Sequence, residues 1–170
     1  MTESEEGMKY LLNVTDSFSN YIWMFPIKEQ KSEVIAEKLL HVLSQIGIPD
    51  RVISDLGTPF VSKVMEGVWK LLGVEQITTA PYNQKANSRI ERKHRVIGDN
   101  LRSLMQDKDE KTWDKMVVLV EWAMRSSESS VSPYSPNEIL CGEPCRGPVQ
   151  TFVEKFPTIE AMDLPEYVKN

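Results

Sequence analysis

Cysteine is scarce in this sequence, and the scarcity argues against two ways of stabilising a small fold, disulfide bonds and a structural zinc site. The two cysteines among the 170 residues, Cys141 and Cys145, are too few for a disulfide framework. Three residues separate them, whereas common zinc motifs have two residues between their cysteines. We therefore interpret them as ordinary thiols in a reducing compartment.

Long apolar runs are also absent. None approaches the roughly 20 residues that a membrane-spanning helix needs, and the first residues, MTESEEG, are too acidic for the start of a signal peptide. Apolar residues make up 41% of the chain and charged residues 26%, as in a soluble globular protein. We therefore expect one globular domain and no membrane partner.

Positive charge is in short supply overall, because the net charge is -5 and the isoelectric point is near 5.2. This balance argues against a dedicated nucleic-acid-binding domain, although local patches decide what binds where. Residues 81–95, PYNQKANSRIERKHR, depart from it with five Lys or Arg and a single acid, Glu91. The segment is either a solvated helix face with Glu–Arg pairs or a surface for a polyanion.

The hydrophobic pattern predicts strands that alternate with helices. Short β-rich runs predict strands at residues 9–16, 21–27, 51–55 and 74–80. Helical spacing of apolar residues predicts five helices. One begins with Ser32 as its cap, and a second begins with Ser62 as its cap and ends at Gly73. A long helix starts near Asn87, another begins at Thr112, and a short one follows SPYSP. This order predicts an α/β fold with a central mixed sheet, an antiparallel hairpin plus parallel strands, flanked by helices.

Two of the predicted strands end on an acid, Asp16 and Asp55. In sheets flanked by helices, ligands and chemistry collect at the carboxyl ends of strands. Glu91 follows Asp55 with 35 residues between them, a spacing that arises by chance too easily to carry weight alone. The sequences around the three acids are more informative.

Four ordered blocks resemble the catalytic core of retroviral and long-terminal-repeat retrotransposon integrases, closest to the Ty3/gypsy type. They are YLLNVTDSFSNY, GIPDRVISDLGTPFVSK, APYNQKANSRIERKHRVI and WDKMVVLVEWAMRSSESSVSPYSPNEILCGEPCRGP. The resemblance covers residues 9–148 as the catalytic core domain. It implies an RNase H-like fold, with residues 1–8 as an N-terminal extension and residues 149–170 as a C-terminal extension or linker.

The same resemblance implies a metal-dependent chemistry. It identifies Asp16, Asp55 and Glu91 as the catalytic, metal-binding carboxylates, with Asp16 bridging two ions. Carboxylate oxygens suit Mg²⁺ (or Mn²⁺), and two ions are expected when DNA is bound. The implied enzyme is a Mg²⁺-dependent polynucleotidyl transferase and endonuclease that trims the 3′ ends of element DNA and joins them to target DNA.

The positive charges around Glu91 are then interpreted as DNA contacts directed mainly at phosphates. The predicted DNA-binding residues are Lys85, Asn87, Arg89, Arg92 and Arg95. We interpret His94 as a packed or partly exposed residue rather than a metal ligand. The four tryptophans, Trp23, Trp69, Trp113 and Trp122, fall on core patterns and are interpreted as packing residues.

The segment before Glu91 departs from the family pattern. Asn83, Gln84 and Ser88 stand where gypsy-type relatives usually have His, Pro and Gly. Losing a Pro and a Gly changes the flexibility of a loop expected to move over the active site. The family's zinc module and a basic C-terminal domain are also absent from the sequence. An alternative function is therefore a domesticated, non-catalytic module that binds nucleic acid or protein.

The resemblance also implies partners. We expect double-stranded DNA, both element ends and target, and a homodimer or higher multimer, because family members assemble through helices of the core. We expect the protein to be made in the cytoplasm and to act in the nucleus, where the target DNA lies.

Overall fold

The computed structural model describes residues 2–78, 84–106, 109–128 and 132–145, and the side chains of residues 84–91 lie outside that description. Strands and helices alternate along the chain, as predicted. In order, the elements are β1 (Tyr10–Thr15), β2 (Ile22–Ile27), α1 (Ser32–Ile46), β3 (Arg51–Ser54), α2 (Lys63–Leu72), β4 (Glu75–Thr78), α3 (Gln84–Leu104), a 3₁₀ turn (Glu110–Thr112), α4 (Trp113–Ser126) and α5 (Pro136–Cys141).

The strands form one antiparallel and one parallel pair. β1 pairs with β2 from Tyr10 opposite Ile27 to Thr15 opposite Ile22. β3 and β4 run parallel, with Arg51 opposite Glu75. The mixed α/β class is thus confirmed. Among the described residues, however, the pairs remain two separate two-stranded sheets, because a groove rather than a hydrogen-bonded ladder separates β1 from β3.

Helices cover the strands on two sides. On one side, α1 and α2 bury a core around Leu12, Leu39, Met65 and Trp69. On the other side, α3 and α4 bury a second core around β2; its members are Ile22, Met24, Ile97, Leu101, Trp113, Val117 and Val120. The two cores lie on opposite faces of the β1–β2 hairpin, and Val52 of β3 packs against the first of them.

Helix ends follow the sequence signals with two exceptions. Ser62 caps α2 by accepting a hydrogen bond from the Met65 amide, and Gly73 ends that helix in the left-handed region at φ 69°, as predicted. The prediction of Ser32 as a cap is wrong. Ser32 lies inside α1, and its hydroxyl donates to the Pro59 carbonyl at 3.1 Å.

The second exception is the start of α3. Its first residue is Gln84, three positions before the predicted start near Asn87. Gln84, Lys85 and Ala86 are good helix formers, and they extend the helix toward β4.

The N-terminal residues are bound to the body of the protein. The indole N–H of Trp113 donates to the Thr2 carbonyl at 2.8 Å, and the buried Ser4 hydroxyl donates to Asp114 Oδ2 at 3.0 Å. Residues 2–8, predicted as an extension, therefore contact the 3₁₀ turn and α4. The predicted C-terminal extension, residues 149–170, lies outside the described residues.

The tryptophan interpretation is confirmed for three residues and wrong for one. Trp23, Trp69 and Trp113 are buried, whereas Trp122 on α4 is 43% exposed. The helical pattern places Trp122 on the edge of the buried face of α4, and in the structure it faces solvent. Among the described helices, none is long and apolar enough to cross a membrane.

Candidate DNA and metal site

A groove of about 740 Å³ separates the two sheets. All six residues of β1 line one wall, and Ile53, Ser54 and Asp55, at the carboxyl end of β3, line the other. Helix α1 contributes Ile35 and Leu39, and helix α3 contributes Lys93, His94 and Ile97. An acid and two basic side chains thus border one cavity.

Asp55 follows the last residue of β3 and is exposed. Its Oδ1 accepts a hydrogen bond from the Gly57 amide at 3.0 Å, which orients the carboxylate within a tight turn. A Cβ on residue 57 would lie 2.9 Å from that oxygen, so a side chain there would displace the carboxylate. Oδ2 makes no hydrogen bond to the described residues, and it is the oxygen available to a ligand.

Asp16 lies at the other predicted strand end, in the turn of the β1–β2 hairpin. Its Oδ2 accepts hydrogen bonds from the Ser19 amide at 2.7 Å and the Ser19 hydroxyl at 2.6 Å. Asn20 completes the turn at φ 62°, a left-handed conformation that Asn tolerates. The Asp16 carboxylate therefore holds the turn together, and it is not among the residues that line the groove.

Helix α3 carries the predicted basic residues. Arg92 and Arg95 are exposed, which fits both a solvated helix face and a polyanion surface. His94 is exposed too and lies beside Asn13, with 3.4 Å between their side-chain nitrogens. The side chains of Glu91 and of the remaining predicted DNA-binding residues, Lys85, Asn87 and Arg89, lie outside the described residues.

Sequence reasoning missed a second polar cluster, centred on Arg125 of α4. Its guanidinium lies 4.3 Å above the Tyr21 ring, donates from Nε to the Ile22 carbonyl at 2.7 Å and pairs with Glu121. Burial raises the pKa of Glu121, and the positive charge of Arg125 opposes that rise. The spacing of Glu121 and Arg125 on one helix was visible in the sequence, but their contact with β2 was not.

The comparisons with known proteins agree with this architecture. The integrase core domain family matches residues 1–84. The Gag-Pol polyprotein of baboon endogenous virus is 30% identical over 165 residues, covering 96% of this chain and 9% of the relative. The Pol polyprotein of radiation murine leukemia virus (strain Kaplan) is 32% identical over 141 residues, covering 81% of this chain and 24% of the relative. The chain is thus similar to the integrase core domain family over residues 1–84 and to the two viral polyproteins over most of its own length.

Comparison with solved structures shows which fold this chain adopts. The simian T-cell lymphotropic virus intasome, in complex with the PP2A regulatory subunit B56 gamma, superposes with a TM-score of 0.70 at 19% identity, covering 86% of this chain and 52% of that chain. The HTLV-2 integrase catalytic core domain, solved with magnesium in a trimeric form, gives 0.64 at 18% identity, covering 76% and 83%. The RNase H-like fold of the integrase cores is therefore confirmed.

The integrase match includes Asp16 and Asp55 but stops before Glu91. The chain spans 9% and 24% of the two viral relatives, so activities of those whole polyproteins do not transfer to it directly. The carboxylate oxygens of Asp16 and Asp55 are the hard donors that Mg²⁺ prefers. Within the described ranges, however, no three His, Cys, Asp or Glu residues come close enough together to hold a metal ion.

Proposed function

We propose that this chain performs metal-dependent phosphoryl transfer on DNA, trimming 3′ ends and joining them to target DNA as an integrase. The observation that carries the proposal is the position of Asp55. It lies at the carboxyl end of β3, with one oxygen unused by described residues, on the rim of a groove that α3 borders with Lys93 and His94. The relationship to integrase cores supplies the reaction class.

In this proposal Asp16, Asp55 and Glu91 hold Mg²⁺ or Mn²⁺, two ions when DNA is bound. Bound metal supplies charge neutralisation at the phosphate and activates the attacking oxygen. The chain's own contribution is orientation. The Gly57 amide holds Asp55, and the Ser19 amide and hydroxyl hold Oδ2 of Asp16. Each acid thus keeps one oxygen free of hydrogen bonds to the described residues.

DNA is proposed to lie along α3, where Arg92 and Arg95 neutralise phosphates, together with Lys85, Asn87 and Arg89. The similar structures include an intasome and a trimeric core with magnesium, which supports double-stranded DNA ends and target as partners, a homodimer or larger multimer, and a divalent cation. Action on chromosomal DNA would place the protein in the nucleus after its synthesis in the cytoplasm.

A second candidate function is DNA or protein binding without catalysis. It is favoured by the use of the Asp16 carboxylate inside the hairpin turn. In that case Arg92 and Arg95 would still bind phosphates, but no carboxylate would be needed for the function.

A strand-transfer assay on branched DNA separates the two candidates. The integrase function predicts product from the 170-residue chain with Mn²⁺, and only background product from Asp55→Asn. Asp50→Asn is the matched control, because Asp50 precedes β3 rather than ending it. Equal product from the chain and Asp55→Asn, with DNA binding retained in both, would support the binding module instead.

A further inference from the structure

The outer edge of β1 presents unpaired backbone groups to the groove. The Asp16 amide donates to the Tyr21 carbonyl. Because the hydrogen-bonded positions of an antiparallel pair alternate, Val14, Leu12 and Tyr10 also direct their backbone groups toward β2. The amides and carbonyls of Leu11, Asn13 and Thr15 therefore point away from β2. Pro26 has no N–H group, and it lies opposite Leu11, at a position where the β1–β2 ladder uses no N–H from β2.

The edge of β3 that faces away from β4 has the same property. The Glu75 amide donates to the Asp50 carbonyl. In a parallel pair, every second residue of a strand bonds to its partner strand, so the residues that bond to β4 can be counted from Asp50. Val52 follows Asp50 in facing β4, whereas the backbone groups of Ile53 point the other way. No hydrogen bond within the described ranges uses the Ile53 backbone on that side.

The two unpaired edges border one cavity, and buried side chains line it. The groove runs along all six residues of β1 and reaches the end of β3. Its walls include Ile35 and Leu39 from α1 and Ile97 from α3, all buried apolar residues. Backbone amides and carbonyls that are left unpaired in such an apolar setting destabilise the protein.

Asn13 gives an independent indication of an occupant. Its Oδ1 atom is buried and has no hydrogen-bond partner in the part of the chain that the structure describes. The residue lines the groove. A hydrogen-bond donor in the groove would satisfy this oxygen.

We propose that the groove receives an extended strand of polypeptide from outside these 170 residues, which joins the two sheets into one. An extended backbone can bond to β1 on one side and β3 on the other. Helices cover both faces, so the strand would be largely apolar, about five or six residues long to match β1, with one hydroxyl beside Asn13. The viral relatives are far longer than this chain and contain ample sequence to supply it.

Hydrogen exchange measured by NMR on the 170-residue chain tests the unpaired edge. The amides of Leu11, Asn13 and Thr15 are expected to exchange at least about tenfold faster than those of Leu12 and Val14, because they lack partners. Equal protection of the two sets would overturn the proposal, since it would mean that residues within the chain already fill the groove.

A tethered strand tests the occupant. The segment Lys-Val-Ile-Thr-Val-Val-Lys, joined to the N-terminus through a flexible Gly/Ser linker, is expected to slow exchange at Leu11, Asn13 and Thr15 by about tenfold or more and to raise Tm. The control carries Pro at the central Thr, which removes one donor and blocks the extended pairing. Equal exchange and Tm for both fusions would refute an added strand. Neither measurement uses DNA or metal, so its outcome is separate from that of the integrase assay.

Discussion

The two acids that end strands differ in their surroundings at the scale of single residues. Asp55 is exposed, borders the groove and has one oxygen held by Gly57. Asp16 spends one oxygen on two hydrogen bonds from Ser19. The sequence predicted that both acids end strands, and the structure agrees. It could not predict the bonds from Ser19, because they depend on how the hairpin turn closes around Asn20.

Substitution of Asp16 separates its turn role from its proposed metal role. Asp16→Ala removes the acceptor of two hydrogen bonds and is expected to lower the free energy of unfolding by about 1–3 kcal/mol. Asp16→Asn keeps an acceptor oxygen and should lower the free energy of unfolding by less than half as much as Asp16→Ala. Urea titration of both variants gives the comparison.

The Asp16→Asn variant is also the sharper probe of catalysis, because it is expected to destabilise the fold less than Asp16→Ala. The integrase function predicts that it loses strand-transfer product while its unfolding midpoint stays near that of the parent chain. Full product from a folded Asp16→Asn protein would restrict Asp16 to the turn.

At the scale of elements, α3 combines core packing with a basic surface. Ile97 and Leu101 are buried against α4, while Arg92 and Arg95 are exposed. The helical spacing in the sequence predicted both faces. The start of the helix was less predictable, because the apolar spacing that marked it begins at Ile90 and does not reach the helix formers Gln84, Lys85 and Ala86.

Arg92 is expected to contact a DNA phosphate. Arg92→Ala should weaken binding to duplex DNA of unrelated sequences alike and reduce the slope of log K against log salt by about 0.9, the value for one lost phosphate contact. Arg102→Ala is the control on the same helix, because Arg102 pairs with Asp99 at 3.0 Å. A salt titration that gives Arg92→Ala the slope of the parent chain contradicts the DNA surface.

Helix α5 begins with a capping box that should make its stability depend on pH. The backbone and side chain of Ser135 donate to Glu138, which lowers the pKa of that carboxyl from 4.5. A lowered pKa in the folded state stabilises the protein above the unfolded value and loses this contribution as pH falls through the folded value. Glu138→Gln should therefore lower Tm at pH 7, and the difference should shrink toward pH 3.

Thermal unfolding at the two pH values measures this effect. Glu143→Gln is the control, since Glu143 lies beyond the helix and its side chain is not part of the capping box. A Tm difference for Glu138→Gln that persists unchanged at pH 3 would rule out ionisation of Glu138 as the source of the stabilisation.

At the scale of the whole molecule, contacts distant in sequence were the hardest to predict. MTESEEG reads as a polar extension, yet Ser4 is 5% exposed because Asp114, 110 positions away, accepts its hydroxyl. The separation of the strands into two sheets was equally hard to predict from the sequence. Strand patterns indicate which residues are extended, but not whether neighbouring strands come close enough to pair.

The N-terminal contacts are expected to contribute to global stability. Ser4→Ala removes the hydrogen bonds to Asp114 and to the Met8 amide, and should lower the free energy of unfolding by about 1–2 kcal/mol. Glu3→Ala is the control, because its ion pair with Lys9 is exposed and should contribute less than about 1 kcal/mol. Equal effects of the two substitutions in denaturant titrations would show that the hydrogen bonds of Ser4 contribute no more than an exposed ion pair.

The most direct test of the central claim is where a divalent cation binds. Mn²⁺ broadens NMR signals near its site, so a titration of the 170-residue chain should first weaken the amide signals around Asp55 and Gly57, and Asp55→Asn should abolish that local effect. Broadening that is centred elsewhere, or that remains at Gly57 in Asp55→Asn, would contradict a metal site at the carboxyl end of β3.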